Sequence, residues 1–138
     1  VLASTSPYRR ELLARLRLPF EARAPGVEEL TVPGEAPLAR AQRLALAKAA
    51  ALADALPEHL VIGADQVAAC EGRVLDKPGD AATARLQLAQ QSGKVVQFHS
   101  AVAVLCRARG FEDRFADLSL VELRRLSAAE IAAYVEAD

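Results

Sequence analysis

LVIGADQVAACEGRVLD, residues Leu60–Asp76, carries two signals in succession. Leu60 to Asp65 is a short, β-branched apolar run closing on Gly, Ala and Asp, and it predicts a buried central strand. The remainder predicts a hairpin that turns at Glu71-Gly72, followed by a loop at "KPG". A buried strand running into a hairpin sets the chain's centre as a sheet. The flanking segments then say what covers it.

Upstream, Pro37 opens a long alanine-rich helix that lasts to about Ala55, where Pro57 stops it. Residues 25–36, "PGVEELTVPGEA", read as loop. Val1 to Ala3 is a scrap of inner strand. Ser6 is placed to cap a helix, with Pro7 at the first helical position, where its missing N–H costs nothing. Leu12, Leu13 and Leu16 give that helix an apolar face through Arg17, Pro19 ends it, and Phe20 to Ala24 is a strand. Downstream, Asp80 caps a helix through Gln91, with Gly93 beyond its end. Val95 to Cys106 and Phe111 to Leu126 are long strands joined by a turn at Arg107–Gly110, hence an antiparallel hairpin. Ser127-Ala-Ala-Glu130 is a capping box that starts a last helix. The fold class is therefore mixed α/β, with a partly antiparallel sheet flanked by helices, in a single domain over residues 1–138.

Composition narrows the function. The 138 residues are 52% apolar and 25% charged, ordinary for a soluble globular domain, and the formal net charge is −1. A general nucleic-acid binder would carry a basic excess, so any basic patch here is local and sized for a small anion. Cys70 and Cys106 have neither metal nor redox spacing and read as buried apolar residues in a reducing compartment. With no membrane-spanning run and no signal peptide in the sequence, the expected location is cytoplasmic. The chain contains no methionine, so its start is expected to have been trimmed.

Four features carry chemistry. "STSPYRREL" brings two hydroxyls, a helix N-terminus and two arginines together, an anion site in outline. Arg9, nearer the cap than Arg10, is the better placed of the two. On residues alone, this segment reads equally well as a plainly capped helix with solvated arginines. Asp65, at the mouth of the core strand, needs a cation or metal to offset its burial. Glu28 and Glu29 lie in the acidic loop; one of them can join Asp65 around a hard divalent cation, although composition alone favours a solvated acidic loop. The chain's lysines are Lys48, Lys77 and Lys94. In an arginine-rich protein, Lys48 and Lys77 suggest point-charge contacts to phosphate. Gln66 either reads a polar ligand edge or faces solvent.

"LASTSPYRRELL", the glutamates after "APGV", "LALAKA", "VIGADQV" and "LDKPG", in this order, resemble the Maf-like nucleoside triphosphate pyrophosphatases over the whole chain. The resemblance implies two lobes around a deep nucleotide cleft. It implies hydrolysis of a triphosphate to the monophosphate and diphosphate with a divalent cation, magnesium or manganese. It implies Asp65 as proton acceptor and Glu29 with Asp65 as metal ligands. Ser6, Arg9, Lys48 and Lys77 match the phosphate-side positions. A homodimer is a further family-level expectation, as is a C-terminal segment beyond Asp138. The common signature reads S-x-S-P-R-R; here Tyr8 replaces the first arginine and Gln66 follows Asp65. That pattern resembles the branch acting on 7-methyl-GTP, whose cationic base an aromatic ring attracts; Gln66 would bond a base edge. The alternatives are the dTTP- and UTP-hydrolysing branch, or a shortened, non-catalytic nucleotide-binding regulator.

Overall fold

The structure is a computed structural model that describes residues 1–76 and 78–137. The elements run β1 (Leu2–Ala3), α1 (Pro7–Ala14), β2 (Ala22–Arg23), α2 (Pro37–Ala55) and β3 (Val61–Cys70). They continue with β4 (Arg73–Val74), α3 (Ala81–Gln91), β5 (Val95–Cys106), β6 (Phe111–Glu122) and α4 (Ala128–Ala137). The sheet order is β2-β1-β3-β5-β6, with β4 paired to β3. β1 runs parallel to β2 and β3, whereas β5 runs antiparallel to both of its neighbours, β3 and β6. The mixed, partly antiparallel sheet expected from the sequence is the one observed.

The core lies where α2 crosses β3 and β5. Ala41, Ala45, Ala49 and Ala53 repeat every fourth residue and are all fully buried. Small side chains let the helix backbone come close to the strands. Beneath them, Gly63 packs so tightly that a Cβ there would stand 2.3 Å from the Ala45 carbonyl oxygen and 2.6 Å from the Ala49 nitrogen. Only glycine fits. Val61, Ala103 and Leu105 complete the floor.

The turn Glu71-Gly72 has φ of 52° and 79°, the positive pair that matches the twist of a two-residue hairpin. At α4 the capping box is reciprocal: the Glu130 N–H donates to Ser127 Oγ and the Ser127 N–H donates to Glu130 Oε1, both at 3.2 Å. The Arg124 guanidinium and the cap hold the Glu130 carboxyl down to about 2.

Besides β2, which covers only Ala22–Arg23 of the strand expected over Phe20 to Ala24, three boundaries differ from expectation. α1 stops at Ala14 rather than Arg17. Arg15, Leu16 and Arg17 bond three residues back, to Leu12, Leu13 and Ala14, and Arg17 turns left-handed at φ 56°. Its leucine face is not buried, for Leu12 and Leu16 are exposed. β6 ends at Glu122, and all of its residues are exposed instead of alternating, as befits an edge strand paired only with β5. β3 is one continuous strand through Asp65, which therefore lies mid-strand rather than at a strand end. Among the described residues, no helix is long and apolar enough to cross a membrane.

Candidate functional site

The switch from parallel to antiparallel pairing creates the site. β1 pairs with β3 at Leu2 opposite Ile62, and its chain leaves the sheet at Ser4, level with Ala64 in that register. Asp65 is the next residue, so it stands just past the carboxyl end of the parallel pair. Open sheets place ligands in such a crevice. The mid-strand aspartate thus keeps the position that the strand-end reading sought, for a different reason.

Strand alternation turns Asp65 toward α2, where Lys48 descends from the helix. Both are buried, each 8% exposed, and Lys48 Nζ donates to Asp65 Oδ1 at 2.9 Å. The same ammonium lies 2.7 Å from Glu29 Oε1. Two carboxylates on separate elements therefore converge on one cation. The Lys48 hydrogen bond holds the Glu29 carboxyl below its ordinary value against the opposing effect of burial, with smaller help from Arg40 and Arg9. Glu29 stays ionised at neutral pH and into mild acid.

The acidic loop is held in reach by a residue that the sequence reading passed over. Arg43, on α2, grips Glu35 through two hydrogen bonds of 2.8 and 2.9 Å and the Leu30 carbonyl at 2.8 Å. This fork ties both ends of the Leu30–Glu35 segment, next to Glu29, to the helix that carries Lys48. The pattern "RLALAK", with arginine five residues before the lysine on one helix, was the available signal.

Two cavities meet at this cluster. The first, about 600 Å³, is lined by Ser4, Ser6, Arg9, Glu29 and Lys48 among others. Ser4 is buried, and its Oγ accepts from the Ser6 N–H at 3.0 Å; Ser6 Oγ in turn accepts from the Arg9 N–H at 3.3 Å. Each hydroxyl, used as an acceptor, still has a proton to donate. Arg10 points elsewhere, lining a separate depression with Glu11 and Phe20. The second cavity, about 420 Å³, is lined by Glu29, Arg40, Asp65, Gln66 and Asp76 with apolar walls from Leu44, Val67 and Leu75.

Of the sequence-predicted residues, Ser6, Arg9, Glu29, Lys48 and Asp65 come together. Gln66 also lines the second cavity, yet as the next residue along β3 it turns its side chain to the opposite face, where Nε2 donates to Ser100 Oγ at 3.1 Å. Tyr8 is 79% exposed and lines neither cavity, although its neighbours Pro7 and Arg9 line the first. Lys77 lies outside the described residues. No group of three or more histidine, cysteine or acidic side chains is gathered for a metal among the described residues. The Glu29–Asp65 pair is nonetheless suited to a hard cation that shares its remaining positions with water and phosphate oxygens.

A family model described as "Maf-like protein" matches residues 1–138. Among curated proteins, a 7-methyl-GTP pyrophosphatase of Albidiferax ferrireducens is 52% identical over all of this chain and 69% of its own length. Proteins of the same description from a Polaromonas species and from Xanthomonas oryzae pv. oryzae are 51% and 50% identical, again over the whole chain. The chain spans 63% of the former and 72% of the latter.

Proposed function

The chain belongs to the Maf-like family, and from that premise we propose that it is a pyrophosphatase that hydrolyses 7-methyl-GTP to 7-methyl-GMP and diphosphate. The carrying observation is the Glu29–Lys48–Asp65 cluster at the junction of two cavities. The first cavity suits phosphates: the α1 N-terminus, the Ser4 and Ser6 hydroxyls and the Arg9 guanidinium all offer donors or positive charge there. Lys48 stands at the junction, where it offsets charge on the phosphate chain. Asp65, with Oδ1 engaged by Lys48, orients a water toward the α-phosphorus and takes its proton. The new P–O bond forms as the bond to the α,β-bridging oxygen breaks, and diphosphate leaves. Glu29 and Asp65 would hold magnesium or manganese, whose chemistry there is to neutralise phosphate charge as a Lewis acid. Most of the rate enhancement in such transfers comes from positioning and electrostatics, which a rigid strand-and-helix frame supplies.

Tyr8 bears on the choice of base. An N7-methylated guanine is cationic, and the exposed ring of Tyr8, between Pro7 and Arg9 of the first cavity in the chain, would attract it, whereas an arginine would repel it. Tyr8→Arg is expected to lower the ratio of kcat/KM for 7-methyl-GTP over GTP by a factor of about 2 to 30. An unchanged ratio would remove Tyr8 from base selection. The reading itself is tested by a panel of 7-methyl-GTP, GTP, dTTP and UTP with magnesium: 7-methyl-GTP should be turned over with the highest kcat/KM. Preference for dTTP or UTP would assign the chain to the family's other branch.

A further inference from the structure

Arg40 is an unexplained cation in the second cavity. It sits two turns before Lys48 on α2 and shares the cavity lining with Glu29 and Asp65. Its side chain is 16% exposed, and among the described residues its one ion pair is Nη2 to Asp76 Oδ1 at 3.2 Å. Asp76 is itself 70% exposed, so solvent weakens that contact. Meanwhile Arg40 Nε is fully buried and has no acceptor among the described residues. A buried donor without a partner is destabilising, and an arriving acceptor relieves it. A guanidinium half-engaged by a solvated carboxylate, with an idle N–H and sharing a cavity lining with Glu29 and Asp65, is poised for a stronger oxyanion.

We propose that Arg40 is a further substrate-binding residue, giving its guanidinium to phosphate oxygens of the nucleotide where the second cavity meets the Glu29–Lys48–Asp65 cluster. The Asp76 contact is the resting partner that it exchanges. This rests on the pyrophosphatase reading above and extends it to a side chain outside the resembled motif set. Arg40 belongs to the helix that already carries Lys48, so both cations reach the phosphates from one rigid element. A planar fork there adds bidentate geometry that a lysine lacks.

The test pairs Arg40→Met with Asp76→Asn and Arg40→Lys, each checked by thermal melting. It reads KM and kcat for 7-methyl-GTP, and the affinity for inorganic pyrophosphate with magnesium by calorimetry. Arg40→Met should weaken pyrophosphate binding and raise KM about ten-fold or more with a smaller change in kcat, the loss expected for one charged hydrogen-bonding partner. Arg40→Lys should fall between Arg40→Met and the parent. Asp76→Asn, which removes the competing acceptor, should bind pyrophosphate as tightly as the parent or more tightly. If Asp76→Asn weakens binding as much as Arg40→Met does, Arg40 acts only as a tie to Asp76 and the proposal is overturned. Parent-like affinity in Arg40→Met overturns it as well. Failure of the pyrophosphatase reading would show separately, as a parent protein that releases no diphosphate from 7-methyl-GTP.

Discussion

Asp65→Asn lowers kcat for 7-methyl-GTP by a factor of about 10²–10⁴, the range that a positioned general base contributes. Asparagine keeps the shape of the side chain and an acceptor for Lys48 Nζ, now 2.9 Å from Oδ1, but takes no proton. Substitution also halves the negative charge around a buried ammonium. Removing one partner of a buried pair ordinarily costs about 3–5 kcal/mol. Here Glu29, at 2.7 Å, remains to neutralise Lys48, so the loss of stability is smaller. Steady-state kinetics beside a melting curve separate the two effects. A folded Asp65→Asn protein with parent-like turnover would take Asp65 out of the role of base.

Gly63→Ala strikes the frame on which that chemistry depends. The added methyl carbon would lie 2.3 Å from the Ala45 oxygen and 2.6 Å from the Ala49 nitrogen, both of them backbone atoms that cannot rotate away. The helix must lift off the strand. Overpacking costs about 1–3 kcal/mol or more, and with rigid neighbours the upper end applies, a fall in Tm of about 10 °C. Lifting α2 also separates Lys48 from Asp65, since Lys48 lies between Ala45 and Ala49 on the helix and Asp65 two residues beyond Gly63. Activity should therefore fall further than the fraction of unfolded protein explains. A Gly63→Ala protein that melts with its parent would show that α2 does not seat on β3 as described.

The sequence made the elements legible wherever local chemistry was strong. Pro37 and Pro57 bracketed α2, Asp80 capped α3, and Ser127 with Glu130 began α4, because each signal is a backbone requirement met by a nearby residue. It was less legible where tertiary pairing governs. The run from Gln66 to Cys70 suits the return into a hairpin or the continuation of a strand, and only pairing with Phe98 and Val96 across β5 settles it as β3. α1 ended early for a similar reason: its leucines promised a core face, but the described structure leaves two of them exposed, so backbone tightening at Arg15–Arg17 governs its end.

The site was legible in its members and not in its contacts. Lys48 stood out as a lone lysine among alanines, and Asp65 as a carboxylate in a core strand, yet composition alone gives no reason for them to meet. Their contact spans helix and strand, and it follows from the alanine ladder and Gly63 that bring α2 down. Arg43 escaped notice because its target, Glu35, lies in a loop without periodicity. Gln66 could have been placed by alternation, since neighbours in a strand face opposite ways.

The identity of the products tests the central claim most directly. The protein is incubated with 7-methyl-GTP and magnesium or manganese, and the phosphorus species are followed by ³¹P NMR. Cleavage at the α-phosphorus predicts inorganic pyrophosphate and 7-methyl-GMP appearing together in equal amounts. Orthophosphate with 7-methyl-GDP would contradict it.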